Sequence, residues 1–221
     1  SFPKTTDLHD PEARGRALHF FANHELLALE LMALALLRFP DAPPSFRKRL
    51  VATMRDEQQH MTLYLERMSE LGVEVGTIPL NTFFWDLISP MQTPMDFVVG
   101  MSLTFEQANL DFSLHYRDRF QAVGDERTAA IMEQVLADEV AHVRHGVRFF
   151  ETHRDRSLSQ WEAYQEALSF PLTPARAKGI GFTVDHRLAA KGQTRSPEQA
   201  FFEERVSPNP AAGWYLWTNV L

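Results

Sequence analysis

The chain contains no cysteine. That single absence removes disulfides, zinc–thiolate sites, iron–sulfur clusters and thiol nucleophiles. No glycine-rich nucleotide fingerprint is present either, so electrons for any redox chemistry must come from an external donor. Positive charge is in deficit: 22 Lys and Arg face 29 Asp and Glu, a formal charge of −7. Such a chain is a poor generic binder of polyanions, and tRNA is not indicated as a partner. The local cluster Arg47-Lys48-Arg49 reads as a solvated helix face. Long apolar runs are also missing. The longest, over residues 26–37, is interrupted by Glu30 and falls short of the roughly 18 uncharged residues that a membrane helix needs. Ser1-Phe2-Pro3-Lys4 does not resemble a secretory signal. These absences predict a cytoplasmic protein with no membrane partner, a monomer or a homodimer.

What is present is helix. The 221 residues, 44% of them apolar, suit one domain with a sizeable core and an appendage. Four long helical stretches are punctuated by caps and breakers. The first opens on Asp10-Pro11-Glu12 and stops near Pro40. The second follows Pro43-Pro44, with Ser45 as the expected cap, and ends at Leu71-Gly72. The third opens on Thr93-Pro94 and ends before Gly124, and the fourth runs from Asp125 to about Glu151. Short links join the first to the second and the third to the fourth, which makes antiparallel neighbours. The stretch 72–92 between the two pairs is long enough to cross a bundle, and it holds the apolar run Phe83-Phe84-Trp85. Two hairpins with one long crossover is ferritin-like connectivity. The expectation is therefore an all-α fold: a four-helix bundle over 1–151 and a C-terminal appendage over 152–221. Short helical pieces are expected at 160–168, 174–178 and 197–206. The aromatic end, Trp214-Tyr215-Leu216-Trp217, suits core capping, a dimer contact or a lid.

The chemistry lies in a repeat. Asp56-Glu57-Gln58-Gln59-His60 falls on the second helix and Asp138-Glu139-Val140-Ala141-His142 on the fourth. Chance supplies on the order of one Glu-x-x-His in a chain of this composition. Two copies, each preceded by Asp and each on a helix, are far beyond that. Glu25 precedes Glu57 by 32 residues and Glu106 precedes Glu139 by 33. A Glu and a His at i and i+3 share a helix face, so both reach one metal. Glu25, Glu106 and Glu139 also lie on apolar stripes, where carboxylates are costly without a counter-charge. Two divalent ions would neutralise four Glu. The set Glu25, Glu57, His60, Glu106, Glu139 and His142 therefore predicts a dinuclear metal site. Its oxygen and imidazole ligands suit two iron ions or a mixed Mn/Fe pair, with zinc a weaker fit.

Other residues are placed around this set. Asp56 and Asp138 are candidates to accept a hydrogen bond from the far ring nitrogen of a ligand His, or else simply to be solvated. Glu30 competes with Glu25, but its offset of 27 to Glu57 breaks the repeat. Asp111 follows Glu106 by five, as Glu30 follows Glu25, and both are candidates to line the site or to pair with a His or Arg elsewhere. His145 is read as a surface histidine with a lesser chance of ligation, and His19, His24 and His115 as structural ones.

With one Glu from each of two helices and Glu-x-x-His from each of the other two, residues 12–151 resemble the ferritin-like di-iron carboxylate superfamily. The segments 24–30 and 37–43 further resemble an uncharacterised bacterial ferritin-like family, distantly similar to the di-iron hydroxylase of methylthio-adenosine in tRNA. The resemblance implies that the six residues bind two irons, and that O₂ is activated there to hydroxylate or oxidise a small or tethered organic substrate. Tyr64, four residues after His60, matches the place of the redox tyrosine in the small subunit of ribonucleotide reductase, although helical register alone would also put it there. Two other functions stay open: a ferroxidase or iron-handling protein without an organic substrate, and a structural metal site.

Overall fold

The computed structural model describes residues 7–169 and 171–177. The helical piece expected at 197–206 and the aromatic end at 214–217 lie outside the described residues. Helix α1 (Pro11–Arg38) begins as its sequence predicts: Asp10 accepts a hydrogen bond from the backbone N–H of Glu12, and Pro11 takes the first helical position. Helix α2 (Pro44–Glu70) begins two residues earlier than a Ser45 cap would place it, with no side-chain cap. The fixed φ of Pro44 already suits the first turn, so Ser45 is not needed as a cap. Gly72, at φ 80°, ends it.

The crossover carries a short helix, α3 (Phe83–Ile88). The third long stretch is not uniform. A capping box, Thr93 with Asp96, starts α4 (Pro94–Phe97). The chain then widens into a π-helical segment, Val98–Glu106, before resuming as α5 (Gln107–Ala122). Helix α6 (Glu126–His153) is capped by Asp125, which accepts from Thr128 N–H. The appendage adds α7 (Gln160–Ala167) and a 3₁₀ turn, Pro174–Ala177. No strand occurs among the described residues.

Helix α1 packs on α2, the π segment and α5 pack on α6, and α2 meets α6 between the hairpins. This is the expected all-α bundle of two antiparallel hairpins and a long crossover. Two glycines let the π segment into place. A Cβ on Gly100 would meet Ile88 Cδ1 at 2.4 Å, and one on Gly146 would meet Ser102 Cβ at 2.4 Å. The wide π turn is thus held between α3 on one side and α6 on the other. The appendage joins the same core, because Ala163, Tyr164 and Leu172 are buried against the α4 end of the bundle. Arg47 is not merely a solvated residue of a basic face. Its guanidinium donates to the Leu36 and Phe39 carbonyls at 2.7 and 3.0 Å, closing the end of α1.

One expectation needs correction. An 18-residue window of α1 has a mean hydropathy of 1.5, so by length and composition the helix qualifies as a membrane span. Counting unbroken apolar runs misses it, because an average tolerates an isolated charge. Half of that window is buried inside the bundle. Its apolar residues supply both core clusters, which accounts for the hydropathy.

The apolar core is split. One cluster gathers Leu18, Phe21, Tyr64, Phe120 and Met132. The other gathers Met32, Phe46, Phe97, Phe150 and Tyr164. In α1, α2 and α6 the residues of the repeat lie between these two clusters, beside a smaller third cluster of Leu110, Leu136 and Val143.

Candidate metal centre

All six residues singled out by the repeat are buried: Glu25, Glu57, His60, Glu106, Glu139 and His142 are each no more than 4% exposed. They fall into two overlapping groups. Donor atoms of Glu25, Glu57, His60 and Glu139 lie within 4.8 Å of one another, and so do those of Glu57, Glu106 and His142. Glu57 belongs to both. One of its oxygens lies 3.1 Å from His60 Nδ1 and the other 3.4 Å from His142 Nδ1.

The imidazoles are oriented by the opposite hairpin. His60 on α2 has its Nε2 3.1 Å from Asp138 on α6. His142 on α6 has its Nε2 3.1 Å from Asp56 on α2. Each aspartate therefore accepts a hydrogen bond from the histidine of the other Glu-x-x-His motif, and the bonds cross between helices. With Nε2 donating, each Nδ1 faces the cluster, where its lone pair would serve an ion once its proton leaves. Asn109 donates to Glu139 Oε1 at 2.8 Å, which leaves Oε2 facing inward.

The bare cluster is electrostatically uncomfortable. Burial, and then the charge of Glu57, pushes the Glu25 carboxyl well above the ordinary carboxylate range. Burial and Glu139 push Glu106 up to about 8. Burial alone would raise Glu57 too, but hydrogen bonds from His60 and Glu25, and the nearby imidazoles, hold it below its usual value. Burial would lower His142, yet Glu139, Glu106 and Glu57 push it up to about 11. His60 is raised for the same reason. Protons thus gather where the carboxylates crowd, and cations would take their place. Glu106 Oε2, Glu139 Oε2 and His142 Nδ1 are buried without a hydrogen-bond partner. These are the atoms that a metal ion would engage, so the buried group fits one.

The neighbouring candidates differ in where the structure puts them. Glu30 is exposed and does not line the site. Five residues carry it about 140° round the helix from Glu25, onto the solvent side. Asp111 is buried but belongs to neither group. Tyr64 is buried one turn beyond His60, and its hydroxyl donates to Met132 Sδ at 3.7 Å. Burial, and then the charges of Glu25, Glu139 and Glu57, hold that hydroxyl well above its ordinary pKa, so it stays protonated. His145 is half-buried, and burial together with Arg49 pushes it down to about 4. His24 sits between the rings of Phe20 and Phe84, at 4.1 and 4.4 Å between centroids. Burial pushes it down to about 4.

A cavity of about 340 Å³ opens directly onto the cluster, with Glu25, Glu57, Glu106 and Glu139 as its floor. Its walls are Phe20, Phe84, Phe105 and Phe112, and Arg176 of the 3₁₀ turn stands at its edge. A second cavity, of about 280 Å³, reaches Glu106 and His142 from another side, beside Arg49, His145 and Arg148. The repeat did not reveal these walls, because aromatic residues from four separate elements meet there. The apolar run at 83–85 was the one local sign.

The model of one family matches residues 1–196, a match that passes from the bundle into the appendage without a break. The chain belongs to the family described as protein of unknown function DUF455. Neither a curated protein nor a solved structure matches it. The DUF455 assignment carries no chemistry with it, so the function rests on the geometry above.

Proposed function

We infer that the chain is a non-haem di-metal oxidoreductase of the ferritin-like carboxylate type, acting on an organic substrate held in the aromatic cavity. The observation that carries this reading is that the four glutamates of the cluster form the cavity's floor. A storage or purely structural site has no need of an apolar chamber of about 340 Å³ above its ligands, whereas a site that oxidises C–H bonds does. Glu25, Glu57, His60 and Glu139 would hold one ion, and Glu57, Glu106 and His142 the other, with Glu57 shared. Two divalent ions balance four carboxylates, which relieves the cost of burying them. The absence of thiolate ligands favours iron, or a Mn/Fe pair, over zinc. Bound iron would supply the electrons and open coordination positions that O₂ reduction requires.

The remaining side chains have definite tasks in this reading. Asp56 and Asp138 fix the tautomers of His142 and His60. Asn109 fixes one oxygen of Glu139. Phe20, Phe84, Phe105 and Phe112 keep water from the reacting face. Tyr64 is the proposed one-electron neighbour, close enough to the carboxylates to feel their charge. Reducing equivalents come from outside the chain.

The test is anaerobic Fe(II) loading with metal analysis, followed by exposure to O₂ while its consumption and the optical spectrum are recorded. Two irons per chain and prompt O₂ uptake are expected. A protein that holds only zinc and consumes no O₂ after iron loading would sink the oxidase reading. Assembly into a large cage that takes up far more than two irons per chain would favour iron storage instead.

A further inference from the structure

The cavity above the cluster is polar at both ends and apolar between them, with carboxyl groups at one end and a guanidinium at the other. The floor is four glutamates. At the lip, among the described residues, Arg176 is the only Lys or Arg that lines the cavity. Its guanidinium lies 5.2 Å from the centre of the Phe83 ring, and Phe83 is 41% exposed. No carboxylate among the described residues pairs with Arg176. The 3₁₀ turn that bears it packs on the π segment and on α5, so the cation is held at the mouth between the appendage and α3.

We propose that this cavity takes a small amphipathic carboxylic acid, with its aryl or alkyl body between Phe20, Phe84, Phe105 and Phe112 and its carboxylate at the lip on Arg176. A volume of about 340 Å³ accommodates on the order of ten non-hydrogen atoms. The charges dictate which way round such a molecule lies. A carboxylate directed at the floor would meet four glutamates that metal ions at best neutralise. Directed at the lip it meets a planar fork of N–H donors that matches its geometry. The carbon furthest from the carboxylate then lies over the cluster. Calling this molecule a substrate rests on the oxidoreductase reading; its binding and orientation do not.

The experiment uses the full chain, treated with Zn(II) to keep it diamagnetic and labelled with ¹³C at the methionine methyl groups. Met101 is buried and lines the cavity, so its methyl resonance reports occupancy of this chamber rather than of the surface. The probes are phenylbutyrate, phenylbutanol and phenylbutylamine. Phenylbutyrate should bind about tenfold more tightly than the alcohol, as one charge-assisted contact allows, and the amine should bind most weakly. Arg176→Gln, an exposed substitution, should bring the acid down to the level of the alcohol and leave the alcohol within about twofold of its original affinity. Equal binding of the three probes, a preference for the acid that survives Arg176→Gln, or an unmoved Met101 methyl would each overturn the proposal. Metal content measured on the same samples separates the two readings. A chain with two zinc ions and no Arg176-dependent preference loses this proposal alone. A chain that binds no metal but keeps the preference loses the metal centre alone.

Discussion

The two hairpins carry the same residues at nearly the same spacing, yet they are built differently. In the first, Glu25 lies in an unbroken α-helix, between apolar neighbours of both core clusters. In the second, Glu106 is the last residue of a nine-residue π segment. That segment is wedged between Ile88 and Gly146 and clamped from the appendage. Tyr164 OH lies 2.9 Å from Thr104 Oγ1, which itself donates to the Val99 carbonyl at 2.8 Å. Long π segments have poor hydrogen-bond geometry and persist only where the surroundings over-determine them. Here the surroundings are also what shapes the chamber, since Met101, Phe105 and Glu106 of the segment all line it. The contrast teaches that one half of the repeat is a plain helical scaffold, while the other half is widened beside the buried carboxylates.

The largest expected effect comes from Glu57, the carboxylate common to both groups. Glu57→Ala should abolish the loading of both ions, whereas Glu25→Ala and Glu106→Ala should each leave about one per chain, read by metal analysis of the purified variants. If Glu57→Ala still bound one ion tightly, the shared-carboxylate assignment would fall. Next are the crossed aspartates. Asp138→Asn should weaken the ion beside His60, on the other hairpin, by about 10–100-fold, and Asp56→Asn the ion beside His142. Competition with a chelator would follow the two sites. A loss confined to the aspartate's own hairpin would break the crossing.

A third test concerns the tie between the halves. Asp125 caps α6, accepts two bonds from Arg67 of α2 at 2.9 and 3.0 Å, and lies 2.9 Å from Arg14 of α1. Burial would raise its pKa, but the bonds from Thr128 and Arg67 hold it below the usual value of 3.8. A depressed carboxylate contributes stability above its unfolded pKa and loses it as pH falls through the folded one. Asp125→Asn should therefore cost about 2–4 kcal/mol at neutral pH. Relative to the parent, that deficit should shrink as pH drops below 3.8, as followed by denaturant melts across that range.

Smaller still is Tyr164→Phe, which removes one buried hydrogen bond, worth about 1 kcal/mol. Its informative readout is differential: the ion at Glu106 and His142 should weaken while the other holds. Equal weakening of both would show that the clamp does not act through the π segment. The smallest effect belongs to Glu30→Ala. That residue is exposed, so metal content should not change and stability should move by less than about 0.5 kcal/mol.

The buried Glu/His set was legible in the sequence because its rules are local. An i, i+3 spacing on a helix puts Glu57 beside His60 and Glu139 beside His142 whatever the rest of the chain does, although the fold divides Glu139 and His142 between the two groups, against the expectation that each motif serves one ion. The helix ends at Asp10, Gly72, Thr93 and Asp125 follow from backbone chemistry within a few residues. Glu25 over Glu30 was readable from the matched offsets, and burial agrees with it. Tertiary structure alone decided the rest. Which aspartate serves which histidine depends on how α2 and α6 face each other. The π segment answers to packing by residues far away in sequence, not to the helical propensity of Val98–Glu106. The chamber exists only where α1, α3, the π segment, α5 and the 3₁₀ turn converge. The sequence by itself determined which donor atoms this protein buries; only the assembled bundle decided how they are oriented, and what space they face.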